Sequence, residues 1–193
     1  MIYYMGVDPS IENTGCVVMN KDYTQLGAIE PSRYVENRAL LKHKVLRYGT
    51  IAHKLVELIW FPLEPGSTII LCYEDYSFHS TNKSYSLGEM GGVLKTALLT
   101  MPQINVALYL VPPLTLKLFA TGNGGASKNM MLKAFRGDIP EGYLPSPSTD
   151  IVDAYYLAMM SLYVKKEYPS SIQRGRVEVI SKFVKKVKPI TNY

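Results

Sequence analysis

Four acidic residues stand where apolar runs end or begin: Asp8, Glu74, Asp150 and Asp153. Asp8 closes the strand-like run "IYYMGVD" (2–8), and Glu74 closes the apolar part of "STIILCYED" (67–75). Asp150 and Asp153 head "TDIVDAYYLAMM" (149–160), a helix-like stretch that otherwise wants to be buried. Their spacing of three is nearly a full helical turn and puts both on one face. An ionised carboxylate at the edge of an apolar run is costly unless it is paired or bound to a cation. Four carboxylates with no imidazole ligand suit a hard divalent cation, Mg²⁺ or Mn²⁺. Two such ions shared by carboxylates can drive in-line displacement at a phosphodiester, one activating water and the other stabilising the leaving oxygen. A plainer account exists for each acid. The positive end of a helix favours either aspartate singly, but it explains less well why both share a face. Glu74 could pair with a lysine. Asp75 points to the opposite face of its strand, and an exchange of roles between Glu74 and Asp75 stays open.

Two further stretches carry chemistry. In "KLFATGNGGASKNMM" (117–131), Gly122, Gly124 and Gly125 form a loop before a helix whose first turn holds Lys128. Backbone N–H groups and a lysine at a helix start suit a phosphate. The stretch satisfies neither the Walker A pattern nor GxGxxG, so a lysine touching a substrate phosphate fits better than a nucleotide site. In "YSFHSTNKSY" (76–85), Tyr76 and Phe78 lie among polar residues and Lys83, directly after Glu74. Aromatics in a basic loop can stack on unpaired bases. A loop with one buried anchor, such as Phe78, is an equally good reading of the residue types.

Positioning these groups requires an α/β scaffold. "IYYMGVD" (2–8) and "TGCVVMN" (14–20) read as a hairpin, and "YTQLGAIE" (23–30) as a third strand. Residues 36–61 carry apolar positions at steps of three and four, which predicts a helix ended by Pro62. The run 67–75 predicts a central strand covered on both faces. Residues 84–101 predict a helix with Gly88, Gly91 and Gly92 on one face. Each glycine costs about 1 kcal/mol of helix propensity against alanine, so close approach by another backbone is the expected reason. "INVALYLV" (104–111) is a further strand, followed by short helices near 114–120 and 126–136, a Pro/Ser loop and the helix from Thr149. The order predicts an α/β domain with a mixed five-stranded sheet, an antiparallel hairpin first and parallel crossovers after.

At 193 residues the chain suits one sizeable domain. No apolar run approaches a membrane span, and the N-terminus lacks the features of an export signal; the expected compartment is the cytoplasm, that of the host if the gene is viral. Cys16 and Cys72 sit inside strand-like segments and are expected as buried, reduced thiols. No Cys/His cluster has zinc-ligand spacing. The net charge of +5 is uneven. Residues 165–193 carry +6, against −1 for the first 164. A basic terminal segment on a near-neutral body suggests a polyanionic partner, or a solubilising tail. From Arg174, Val177, Ile180, Val184 and Val187 recur at helical spacing with lysines opposite, which predicts an amphipathic basic helix.

The segments "GVDPSIENTG" (6–15), "YEDYSF" (73–78), "LGEMGG" (87–92), "LKLFATGNGGASK" (116–128) and "DIVDAYYLAM" (150–159) together resemble the RuvC family of Holliday junction resolvases, within the RNase H-like superfold. They follow the family's order and cover residues 1–168, leaving 169–193 as a basic C-terminal tail. The resemblance implies a homodimeric, Mg²⁺-dependent endonuclease that nicks four-way DNA junctions symmetrically, with two ions per active site and Mn²⁺ as a substitute. By motif, Asp8, Glu74, Asp150 and Asp153 would be the metal ligands. Lys117 and Lys128 would lie near the scissile phosphate. Phe78 or Tyr76 would stack at the junction centre, and the glycine face of helix 84–101 would be the dimer contact. Three departures stand out: Ser10 replaces the glycine usual after Asp-Pro, the segment between Glu74 and Leu87 is one residue shorter, and the tail passes the family's usual end.

Rival readings keep part of this picture. A less selective branched-DNA nuclease or an RNase H would share fold and chemistry, and a non-catalytic junction-binding protein would not need all four acids. A sugar-kinase or actin-like ATPase would share the first loop but needs a second domain and a second phosphate loop.

Overall fold

The computed structural model describes residues 1–11, 14–21, 25–60, 63–75, 84–139, 147–167 and 173–192. Five strands form the expected mixed sheet: β1 (Ile2–Asp8), β2 (Gly15–Met19), β3 (Gln25–Ile29), β4 (Thr68–Glu74) and β5 (Asn105–Val111). A two-residue strand, β6 (Ile190–Thr191), extends it, giving the order β3-β2-β1-β4-β5-β6. β1, β2 and β3 run as an antiparallel meander, while β1, β4 and β5 are parallel. β6 pairs antiparallel with β5.

Alternation sends side chains to two cores. Tyr3, Met5 and Val7 of β1 join Ile69, Leu71 and Tyr73 of β4 under α1 (Lys44–Trp60) and α2 (Ser84–Leu99). Tyr4 of β1, Ile70 and Cys72 of β4, and Ala107 and Val111 of β5 face the other way. That face is covered by α3 (Pro113–Thr121), α4 (Lys128–Asp138), α5 (Thr149–Val164) and α6 (Arg174–Lys186). Cys16 and Cys72 are buried free thiols, as expected, on opposite faces of the sheet.

The first long helix begins later than its periodicity predicts. Two 3₁₀ turns, Pro31–Tyr34 and Arg38–Leu41, precede it. The Asn37 side chain accepts from Ala39 N at 3.1 Å and caps the second turn. Asparagine bonding its own neighbouring backbone competes with α-helix, so regular helix starts only at Lys44.

The α5 helix lies unusually close to the sheet, and two glycines allow it. A Cβ on Gly6 of β1 would fall 2.0 Å from the Ala154 carbonyl oxygen and 2.3 Å from Ala158 N. A Cβ on Gly15 of β2 would fall 2.2 Å from the Asp150 carbonyl oxygen. These are the first and last residues of "GVDPSIENTG", so that motif seats the last core helix on the first hairpin. The loop between them is braced by the buried Thr14, whose hydroxyl donates to Ser10 O at 2.9 Å.

Candidate active site

Strand register brings the first two acids together. Val7 of β1 pairs with Tyr73 of the parallel β4, so Asp8 and Glu74 are the next residues on adjacent strands. Both continue the series that faces α5, Tyr4 and Gly6 on β1 and Ile70 and Cys72 on β4. Ser148 caps α5, its hydroxyl accepting from Ile151 N at 3.2 Å, and the first turns of that helix deliver Asp150 and Asp153. Carboxylate oxygens of Asp8, Glu74 and Asp153 all lie within 4.8 Å of one another. Asp150 stands outside that group, half-exposed in the first turn of α5. Three residues of helix shift it about 4.5 Å along the axis from Asp153.

The group is electrostatically loaded. Burial, then the charge of Glu74 and its hydrogen bond, holds Asp8 well above the usual carboxylate range. Burial also raises Glu74, opposed by the hydrogen bond with Asp8 and by Lys117. Asp153 is pushed up to about 7, by burial first and then by Glu74 and Asp150. Like charges that close cannot all ionise without a counter-charge. Three oxygen donors at this spacing, one buried and two half-buried, fit a hard divalent cation.

The two lysines predicted from sequence face this site. Lys117, on α3, acts on Glu74 and Asp153, and Lys128, at the start of α4, acts on Asp150 and Asp153. Lys128 Nζ also lies 3.5 Å from the Thr149 hydroxyl beside Asp150. Between them the glycine loop is internally bonded. Gly122 ends α3 in the left-handed region, at φ 76°. Gly125 N donates to the Asn123 side chain at 2.9 Å and Ala126 N to Asn123 O at 3.1 Å. With those N–H groups engaged, Lys128 is left as an exposed cation at the end of the loop.

Sequence reasoning missed Glu30, a buried acid directly after β3. It pairs with Arg33 and adds negative field at Asp150. The signal was available, since Glu30 also closes a strand-like run. Tyr76, Phe78 and Lys83 lie outside the described residues. On α2, Gly91 is buried, Gly88 half-buried and Gly92 exposed. A Cβ on Gly92 would meet nothing within 4 Å. Among the described residues, no helix is long and apolar enough to cross a membrane.

Comparison with known proteins gives a coherent set of relatives. No model of a known protein family matches the chain. The crossover junction endodeoxyribonuclease RuvC of Caldicellulosiruptor saccharolyticus is 29% identical over 157 residues, covering 80% of this chain and 89% of the relative. The Rickettsia typhi protein of the same name is 26% identical over 165 residues, covering 84% and 98%. Among solved structures, Thermus thermophilus RuvC superposes with a TM-score of 0.61 at 17% identity, covering 97% of this chain and 99% of that one. The same protein in complex with a Holliday junction substrate superposes at 0.58, also at 17% identity, covering 98% and 100%. The structural likeness shows the fold, an α/β domain whose mixed sheet the order of elements predicted.

Proposed function

From the likeness to RuvC proteins, we propose that the chain is a member of the RuvC family and a structure-selective endonuclease that resolves four-way (Holliday) DNA junctions. It would act as a homodimer, nicking two strands symmetrically. The observation that carries this reading is the convergence of Asp8, Glu74 and Asp153, from two parallel strands and one helix, with Lys117 and Lys128 beside them. The solved relative holding a Holliday junction substrate supports the choice of DNA.

Asp8, Glu74 and Asp153 would hold Mg²⁺, with Asp150 as the fourth ligand of a site for two ions that Mn²⁺ can also fill. When bound, such ions supply an activated water and stabilise the leaving oxygen of a phosphodiester. The protein's own part is to keep the acids close enough that neutralisation demands a cation. Lys117 and Lys128 would hold the scissile phosphate by charge, a contact that orients without reading sequence. Tyr76 or Phe78 would stack on unpaired bases at the junction centre, with Lys83 on a nearby phosphate. The glycine face of α2, residues 88, 91 and 92, would be the dimer contact; the open space over Gly92 supports that role. We take 1–168 as the nuclease domain and 169–193 as a basic tail, and place the protein in the cytoplasm.

The test is cleavage of a synthetic four-way junction in Mg²⁺, beside linear duplex, a Y-fork and an RNA–DNA hybrid. Selective cutting of the junction is expected. Comparable cutting of forks, duplex or hybrid would replace this reading with a less selective nuclease or an RNase H, and binding without cleavage in Mg²⁺ or Mn²⁺ with a non-catalytic junction binder.

A further inference from the structure

The C-terminal helix α6 carries a cation that it does not turn to solvent. Arg176 is 7% exposed, while Arg174, Lys182, Lys185 and Lys186 on the same helix are exposed. Its guanidinium reaches three other helices. Nε donates to Phe119 O at 3.1 Å and Nη2 to Ala120 O at 3.2 Å. These are carbonyls of the last turn of α3, which have no partner within that helix. Nη2 also pairs with Asp138, the last residue of α4. The Asp138 carboxylate in turn accepts from the Tyr156 hydroxyl of α5 at 2.7 Å. The guanidinium carbon lies 5.3 Å from the Phe119 ring centroid and 5.5 Å from that of Tyr156.

Each tether holds a helix that also carries a residue of the candidate site. Lys117 stands two residues before Phe119 on α3. Lys128 opens the helix that Asp138 closes. Asp153 is one turn before Tyr156 on α5. An acid at a helix C-terminus is disfavoured by the helix dipole, so Asp138 gains its place from Arg176 and Tyr156, not from α4. Arginine suits the role because its planar fork serves carbonyls and a carboxylate together and stacks on rings, which an ammonium cannot do.

Resting on the endonuclease reading above, we propose that Arg176 is a positioning residue for phosphodiester cleavage: it locks α3, α4 and α5 together so that Lys117, Lys128 and Asp153 keep their places around Asp8 and Glu74. The basic C-terminal segment then contributes to turnover and not only to attraction of a polyanion.

The test uses the full chain under single turnover with saturating protein. Arg176→Met alone would strand the buried Asp138 charge, so it is combined with Asp138→Asn; Arg176→Lys provides a second variant that keeps the charge. A wild-type protein that fails to cut the junction removes the endonuclease reading itself. Given a cutting wild type, the double variant is expected to fold and bind the junction normally while cleaving about 100-fold more slowly, as for a misplaced catalytic group. Arg176→Lys is expected to cleave at an intermediate rate. In a Lys117→Ala background the Arg176 substitution should cost less, because its effect passes partly through Lys117. Wild-type cleavage rates in Arg176→Lys and the double variant, or the same fold-loss with and without Lys117, would overturn the proposal and leave the nuclease reading intact.

Discussion

The Cβ that Gly6 lacks would lie 2.0 Å from the carbonyl oxygen of Ala154. Ala154 follows Asp153, so the distance between a strand backbone and a helix backbone sets where the third carboxylate sits. Gly6→Ala must push α5 off β1. Overpacking of this kind typically costs about 1–3 kcal/mol, and the shift separates Asp153 from Asp8 and Glu74. A lower midpoint in thermal unfolding and a slower junction cleavage are both expected. An alanine variant as stable and active as wild type would show that the close seat is dispensable.

Asp8→Asn should abolish Mg²⁺-dependent cleavage without destabilising the metal-free protein. Burial and Glu74 push Asp8 well above the usual carboxylate range, so the amide removes a charge the folded chain disfavours. Unfolding in a chelator should give a midpoint equal to or above wild type. A variant that still cuts the junction would remove Asp8 from the site.

The pH dependence of stability has a definite sign. Folded Asp153 keeps its proton up to about 7, whereas an unfolded aspartate loses it near about 4. Between those values the folded state binds more protons, so this group's contribution to stability falls as pH rises. Asp8 and Glu74, both raised, act in the same direction. In chelator, the wild type should lose stability relative to Asp153→Asn as pH rises from about 5 to about 8. Added Mg²⁺ should remove that loss by supplying the missing positive charge. A wild type that gains on the variant with rising pH would contradict the shift.

Gly92→Ala separates the fold of one chain from association. Within a single chain the added methyl meets open space, and alanine gains about 1 kcal/mol of helix propensity. If α2 is the dimer contact, the same methyl weakens association. Sedimentation at graded concentrations should therefore show a looser dimer for a chain that is no less stable. Tighter or unchanged association would move the dimer contact away from Gly92.

Lys128→Ala should slow cleavage more than it weakens junction binding. Loss of one phosphate contact lowers the salt dependence of affinity by about one unit of slope, while the scissile phosphate loses its orienting charge. Salt titrations of binding, read beside single-turnover rates, check both parts.

Much of this site was legible because the acids sit at ends of apolar runs. Asp8 and Glu74 could be read as strand-end residues, and alternation alone predicts that Asp75 leaves the face that Glu74 joins. The roles of Gly6 and Gly15 were visible only as letters of a motif, since their contacts are with α5, more than a hundred residues away. Asp150 and Asp153 share a face by spacing, but spacing does not say that the rise along the axis takes Asp150 out of the tight group. The amphipathic stripe of α6 marked Ile180 for burial, but it also marked Val184, which is exposed, and passed over the buried Phe183; nothing local marks Arg176, whose partners lie on three other elements. β6 is too short for any pattern; Asn192 holds its end, accepting from Val106 N at 2.7 Å and donating to Ile104 O at 3.0 Å.

The two thiols bear on how the assembly can be watched. Cys16 and Cys72 face opposite cores, and burial pushes both thiols far above their usual range. A thiolate is the reactive form, so maleimide dyes and spin labels should pass the native cysteines by. A single cysteine placed at exposed Tyr85, near the start of α2, would then report the approach of a second copy by dipolar or fluorescence distance, with no need to remove either natural residue.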